Sequence, residues 1–173
     1  MYFEPQLETQ TAYLLLGSNT GNRKAFLERA CLLTAEIIGP IRLVSSVFET
    51  EPWGFQAETS FLNQALMVET ELPAESLLKE ILRIEAELGR VRNAGGYESR
   101  CIDIDILFYG TAVLKSETLT VPHPLLQARR FALLPMDEIA PDLQHPLLGM
   151  TIHELLALCA DTGKVWKYAE RKG

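Results

Sequence analysis

The sequence predicts an α+β fold of the ferredoxin-like type, a βαββαβ sandwich in which helices pack on a mainly antiparallel sheet. Short apolar runs of strand length alternate with two segments whose apolar residues recur at helical spacing. Glycine or proline marks most of the boundaries between these segments. The length of 173 residues suits one domain spanning 1–173, of which residues 1–10 are expected to form a loose arm.

The first predicted strand and helix have the clearest local signals. Residues 12–16 (AYLLL) are typical of a buried strand. Residues 23–38 carry apolar side chains at helical spacing, Thr20 or Asn22 is suited to cap this helix, and residues 39–40 (GP) end it. The other predicted elements are strands over 41–49, 61–70, 102–109 and 119–121 and helices over 73–88, 129–139 and 151–160.

Composition narrows the classes of function. The net charge of −7 argues against a general binder of nucleic acid or anionic membrane, so an anionic ligand requires a local basic cluster. The three cysteines lie far apart and form no CxxC pair, which predicts a reduced, cytoplasmic protein without a cysteine zinc site. The acidic first ten residues do not resemble a signal peptide, and no apolar run is long enough to span a membrane.

Two aspartates, Asp103 and Asp105, lie two residues apart on the predicted strand 102–109. Side chains at this spacing point to the same face of a strand, about 6.5–7 Å apart, while the flanking isoleucines point into a core. A bound cation would remove the repulsion between the two acids, and carboxylate oxygens suit Mg²⁺. The alternative is that this face is simply exposed to water, and the D-I-D spacing alone does not decide between them.

Three arginines, Arg90, Arg92 and Arg100, flank a glycine-containing loop beside this aspartate pair. Guanidinium groups match phosphate oxygens in geometry, and a basic loop next to paired carboxylates is what polyphosphate chemistry requires. The alternative is that the arginines pair with surface glutamates such as Glu85 and Glu87, which is common and contributes little. The adjacent aspartates favour the phosphate interpretation.

Four other residues each allow two interpretations. His123, held between two prolines, either faces a ligand or caps a turn. Trp53, Phe61 and Phe131 either stack on a ligand or fill the core. The segment GSNTGN lacks the Lys-Ser/Thr pair of a P-loop and is interpreted as a turn followed by a helix cap.

Taken together, these segments resemble the 6-hydroxymethyl-7,8-dihydropterin pyrophosphokinase family. The resemblance covers residues 12–158, and its most specific motifs are R-x-x-D-I-D-I, G-R-x-R and V-P-H. The segments that carry it follow in the family's order: LLLGSNTGNR, SSVFETEPWG, FLNQAL, RIEAELGRVRN, SRCIDIDILFYG, LTVPHP and RRFALLPMDEIAPDL.

The resemblance implies a monomeric, ferredoxin-like enzyme that transfers diphosphate from ATP to the hydroxyl of 6-hydroxymethyl-7,8-dihydropterin in folate biosynthesis. By position it assigns Asp103 and Asp105 to two Mg²⁺ ions and adds Arg90 and Arg100 as catalytic residues. The positions it assigns to ATP are Glu85, Arg90, Arg92, Arg100, Ile106, Thr120, His123 and Arg129. The positions it assigns to the pterin are Thr50, Trp53, Phe61, Asn63 and Phe131, with the two phenylalanines stacking on the ring.

The chain departs from the commonest pattern of that family at four positions. A Trp is usual at Tyr97, a Pro at Ser99, a Gln at Leu82 and a Tyr at Phe61. The changes at Leu82 and Ser99 affect the expected adenine contact and the loop, whereas the aspartates and arginines are retained. Two other classes of protein share some of these features. One is another DxD metal enzyme such as a nucleotidyltransferase, which would lack the aromatic pterin clamp, and the other is a ligand-binding module without catalysis, which would not need both aspartates.

Overall fold

Two interleaved β-α-β units build the central sheet of this protein. The computed structural model describes residues 8–51, 59–90 and 100–169. Strand β1 starts at the last residue of the predicted N-terminal arm. The elements are β1 (Gln10–Ser18), α1 (Arg23–Ile37), β2 (Ile41–Val44), β3 (Phe48–Thr50), β4 (Phe61–Thr70), α2 (Ala74–Glu87), β5 (Asp103–Tyr109), β6 (Leu114–Lys115), β7 (Thr120–Val121), α3 (Arg130–Ile139), α4 (Ile152–Leu158) and β8 (Val165–Lys167).

The sheet is antiparallel and runs in the order β5-β1-β4-β3-β8, with β2 also paired to β4. If β2 and β3 count as one interrupted strand, this is the strand order of a ferredoxin-like sandwich extended by β8, and the predicted fold class is confirmed. Strands β6 and β7 form a separate two-stranded ribbon. None of the helices in the described ranges is long and apolar enough to cross a membrane.

The predicted strand 41–49 is interrupted because its middle residues bond to helix α3 as well as to β4. Ser45 donates its N–H to the carbonyl of Ala65 and accepts the Ala65 N–H with its hydroxyl, each at 2.9 Å. Ser46 instead donates its N–H and its hydroxyl to the Glu138 carboxylate, both at 2.8 Å. A carboxylate from a distant helix therefore divides one predicted strand into β2 and β3.

Local chemistry explains where the first helix begins and ends. The predicted cap Asn22 accepts the N–H of Ala25 at 3.1 Å, which satisfies one free donor of the first turn. Gly39 follows the helix with φ of 148°, and a Cβ there would lie 2.1 Å from the carbonyl oxygen of Glu69. Only glycine fits this close approach of the chain to β4.

The helices cover both faces of the sheet and divide the core in two. Helices α1 and α2 pack on one face against Leu14, Leu16, Leu62, Leu66, Ile104 and Ile106. Helices α3 and α4 pack on the other face against Leu15, Ala65, Leu107 and Phe108. The alternation along β5 therefore sends the isoleucines to the α1/α2 face and leaves the aspartates on the α3/α4 face, as predicted.

Candidate active site

A row of residues across three neighbouring strands forms the floor of the candidate site. Gly17 of β1 pairs with Asn63 of β4 on one side and with Asp103 of β5 on the other. A Cβ at Gly17 would lie 3.3 Å from Asn63 Oδ1, 3.9 Å from a ring carbon of Phe61 and 4.0 Å from the Cβ of Asp103. The missing side chain thus lets an amide, an aromatic ring and a carboxylate meet at one end of the sheet.

Asp103 and Asp105 lie on the same face of β5, half-buried, beside Gly17 and Leu15 of β1. Burial raises the pKa of Asp105, and the negative charge of Asp103 raises it further. Two carboxylates that repel each other on a sheltered surface form an all-oxygen donor set, which fits Mg²⁺, an ion that completes its coordination with water and phosphate oxygens. Within the described ranges no group of three or more His, Cys, Asp or Glu side chains could hold a metal ion.

Arg90 and Arg100 both bind Asp103. Arg90 makes a short contact with one carboxylate oxygen, and Nη1 of Arg100 lies 2.9 Å from the other. Both guanidinium groups are largely buried. Burial acts to lower the pKa of Arg90, but Asp103 and Glu85 outweigh it and raise this pKa. Asp103 is therefore flanked by two positively charged guanidinium groups.

Glu85 supports this arrangement from the α1/α2 face. Its carboxylate is 1% exposed, accepts the backbone N–H of Ile104 at 2.8 Å and also binds Arg90. Ile104 lies between the two aspartates, so Glu85 fixes both the strand that carries them and the arginine beside them. Arg90 does pair with Glu85, as the alternative interpretation expected, but this pair is buried and belongs to the site.

His123 and Arg129 lie on the other side of the aspartates. Arg129 Nη1 is 3.9 Å from Asp105 Oδ2 and 3.4 Å from His123 Nε2. His123 donates its backbone N–H to the Leu107 carbonyl at 2.9 Å, which attaches the V-P-H segment to β5. Burial, together with the charge of Arg129, lowers the pKa of His123 to about 4, so the ring is neutral at pH 7.

Three of the positions assigned to the pterin, Thr50, Phe61 and Asn63, meet at the β3 and β4 end of the row. Thr50 pairs with Phe61, and the Asn63 amide donates to the Thr50 hydroxyl at 3.2 Å. Asn63 and Thr50 are buried, and Phe61 reaches toward Gly17. Phe131 is the second residue of α3, and the Arg129 guanidinium carbon lies 5.7 Å from its ring centroid.

The remaining assigned positions divide into two groups. The side chain of Ile106 is buried in the α1/α2 core, Thr120 is half-buried on β7, and Leu82 is exposed on α2. Trp53, Arg92, Tyr97 and Ser99 lie outside the described residues, as does most of the loop 90–100.

Asn19 is a buried residue at the site that sequence reasoning missed. Its side chain accepts the N–H of Arg100 at 2.7 Å, its own N–H donates to the Arg100 carbonyl at 3.1 Å, and its carbonyl accepts the hydroxyl of Thr59. It therefore fixes the backbone of a site arginine that is 81 residues away in sequence. The sequence signal for Asn19 was the segment GSNTGN, which was interpreted as a turn followed by a helix cap.

Comparisons with known proteins identify the family. The sequence model described as 7,8-dihydro-6-hydroxymethylpterin-pyrophosphokinase (HPPK) matches residues 13–141. A 2-amino-4-hydroxy-6-hydroxymethyldihydropteridine pyrophosphokinase from Methylorubrum extorquens is 44% identical over 154 residues, which cover 88% of this chain and 95% of the relative. The protein of the same name from Aquifex aeolicus is 38% identical over 144 residues, covering 83% of this chain and 89% of the relative.

Longer proteins contain a similar region. The folic acid synthesis protein fol1 of Pneumocystis carinii is 39% identical over 153 residues, which cover 86% of this chain but 20% of that protein. The crystal structure of wild-type HPPK-DHPS from Plasmodium falciparum has the same fold, with a TM-score of 0.71 at 19% identity over 87% of this chain and 45% of that one. The matched region and the bacterial relatives together establish that the chain belongs to the 7,8-dihydro-6-hydroxymethylpterin-pyrophosphokinase family.

Proposed function

We propose that this chain transfers diphosphate from ATP to the hydroxyl group of 6-hydroxymethyl-7,8-dihydropterin, giving AMP and the pterin diphosphate of folate biosynthesis. The observation that carries the proposal is the row Asn63, Gly17 and Asp103, since it brings an amide suited to a heterocycle next to a carboxylate suited to a phosphate-bound cation. Family membership supplies the substrates, and the row supplies a place where the two substrates meet.

The pterin is bound at the β3 and β4 end of the row. Asn63 has both donor and acceptor atoms, as the polar edge of a pterin does, and the Thr50 hydroxyl orients its amide. Phe61 and Phe131 stack on the two faces of the ring, and Trp53 adds a contact through its backbone. Stacking of this kind contributes about 1 kcal/mol per ring beyond the burial of apolar area.

The triphosphate is bound at the β5 end. Arg90, Arg92, Arg100 and Arg129 bind its oxygens, and Glu85, Ile106, Thr120 and His123 complete the ATP site. A neutral His123 donates one hydrogen bond without adding charge. Asp103 and Asp105 would hold two Mg²⁺ ions, which would neutralise phosphate charge and lower the pKa of the attacking hydroxyl.

The reaction is an in-line displacement at the β-phosphorus. The hydroxymethyl oxygen forms a bond to that phosphorus, the bond from the β-phosphorus to the oxygen of the α-phosphate breaks, AMP leaves, and the hydroxyl proton passes to solvent. Alignment and charge neutralisation carry most of such a transfer, so no strong general base is required. Arg90 and Arg100, held in place by Asp103, Glu85 and Asn19, stabilise the charge that develops on the leaving oxygen.

Incubation with ATP, Mg²⁺ and 6-hydroxymethyl-7,8-dihydropterin, followed by nucleotide chromatography, tests the proposal. AMP should accumulate in equal amount to the pterin diphosphate, and the signal should vanish when the pterin is omitted. Accumulation of ADP, or AMP formation that does not depend on pterin, would overturn it. We also propose that the enzyme is a cytoplasmic monomer. Light scattering of the active protein measures its molar mass and thereby tests the monomeric state.

A further inference from the structure

A cluster of four polar side chains lies behind the pterin end of the sheet, and none of them was assigned a role. We call Arg23, Glu49, Ser60 and Trp166 the Glu49 cluster. Arg23 Nη1 donates to Glu49 Oε1 at 2.9 Å and to the carbonyl and hydroxyl oxygens of Ser60 at 2.8 and 2.9 Å. The Ser60 hydroxyl donates to Glu49 Oε1 at 2.5 Å, and the Trp166 indole donates to Glu49 Oε2 at 3.2 Å.

The cluster joins four separate elements of the fold. Arg23 begins α1, Glu49 is the middle residue of β3, Ser60 directly precedes β4, and Trp166 is the middle residue of β8. Glu49 pairs with Leu62, whose side chain is in the α1/α2 core, so the cluster lies on the face of the sheet opposite the site. It therefore cannot touch a ligand on the site face.

The chain neighbours of the cluster are positions that we assign to the pterin. Thr50 follows Glu49 and Phe61 follows Ser60, and these two residues pair with each other at the end of the β3-β4 ladder. Thr50 in turn receives the amide of Asn63. A shift of Glu49 or Ser60 would thus be transmitted through one peptide unit to each of the groups that orient and stack the pterin.

The cluster is sheltered enough to hold this register. The side chains of Arg23 and Glu49 are 23% and 18% exposed, compared with 53% and 33% for the pair Arg42 and Glu69 at the other end of β4. Burial acts to raise the pKa of Glu49, but hydrogen bonds from Ser60 and Arg23 outweigh it and lower this pKa. Charge-assisted bonds of this kind are the stronger class and fix geometry better than exposed pairs.

We infer that Glu49 is a positioning residue for the pterin, which acts from the back of the sheet by holding Thr50 and Phe61 in register. This inference rests on the proposed function, since it requires that Thr50 and Phe61 bind the pterin. It predicts a larger effect on the pterin than on ATP, because the metal positions on β5, Asp103 and Asp105, are separated from Glu49 by β1 and β4.

Steady-state kinetics of Glu49→Ala, with Glu69→Ala as the matched control, test the inference. Glu69 is also a strand carboxylate paired with an arginine, but at the far end of β4. We expect the KM for the pterin to rise about tenfold in Glu49→Ala while the KM for ATP changes less than about twofold. Glu69→Ala should leave both constants unchanged.

Two further variants separate positioning from general destabilisation. Glu49→Gln keeps one acceptor oxygen for Arg23 and Ser60, so its KM for the pterin should lie between those of the wild type and Glu49→Ala. The double variant Arg23→Ala with Glu49→Ala should be no worse than the poorer single variant, because both remove the same contact. An unchanged pterin KM in active Glu49→Ala, or equal rises for pterin and ATP, would overturn the positioning role alone. A wild-type protein without turnover would overturn the proposed function and this inference with it.

Discussion

Replacing Glu85 with alanine should destabilise the protein strongly, even though Glu85 lies in helix α2 and alanine has the highest helix propensity. The variant leaves the N–H of Ile104 without its acceptor and removes one of the two carboxylates around Arg90. Breaking a buried ion pair costs about 3–5 kcal/mol, and because Asp103 still neutralises Arg90 we expect the lower end, about 3 kcal/mol. For a protein of this size that corresponds to a fall in Tm of about 6–12 °C.

Thermal unfolding followed by circular dichroism measures this effect, with Glu87→Ala as the control. Glu87 is on the same helix, is 46% exposed and is 4.0 Å from Arg29, so its loss should cost less than about 0.5 kcal/mol. Glu85→Gln keeps an oxygen for the Ile104 N–H and should lie between the two alanine variants. If Glu85→Ala and Glu87→Ala unfold at the same temperature, the buried network contributes nothing and the reasoning is wrong.

Three other changes test the site directly. Asp105→Ala should lower turnover by at least about 100-fold while its Tm stays within a few degrees of wild type, whereas Asp103→Ala should lower turnover as much and also lower the Tm, because it removes a partner of Arg90 and Arg100; near-normal activity in either variant would exclude that residue as a metal ligand. Asn63→Ala should weaken pterin binding far more than ATP binding in calorimetry, whereas its neighbour Gln64, which donates to the Ser45 carbonyl, should tolerate alanine. Burial, with a smaller effect of a nearby acid, raises the pKa of Cys31 to about 11, so its alkylation rate should still rise about tenfold per pH unit between 8 and 10 in folded protein, and a plateau by pH 9 would contradict this.

The elements that the sequence predicted well are those with a strong local pattern. Strand 61–70 is observed as Phe61–Thr70, and the helix predicted over 23–38 is observed as Arg23–Ile37 with its predicted cap Asn22. The alternation of isoleucine and aspartate placed Asp103 and Asp105 on one face because strand geometry leaves no other choice. Periodicity and capping act over a few residues, so the sequence alone contains them.

Three features that sequence reasoning missed depend on contacts between distant segments. Strand β8 is three residues long, and it is a strand only because β3 offers it a free edge. Ser46 leaves the predicted strand because Glu138, 92 residues away, accepts its N–H. Asn19 looks like any turn residue until Arg100 is placed beside it. No local pattern encodes these contacts, and the resemblance to a family named the ligand positions but not their supports.

The two interpretations of the arginines are compatible, because the same guanidinium groups that pair with carboxylates are those proposed to bind phosphate. In the structure, Arg90 and Arg100 both bind Asp103, and Glu85 holds Arg90 in addition. A buried guanidinium group must have a partner, so a phosphate-binding arginine in a sheltered site requires a carboxylate to occupy it before the phosphate arrives. Asp105 has a weaker partner, since Arg129 is 3.9 Å away. A phosphate that replaced one of these carboxylates would keep the guanidinium group paired.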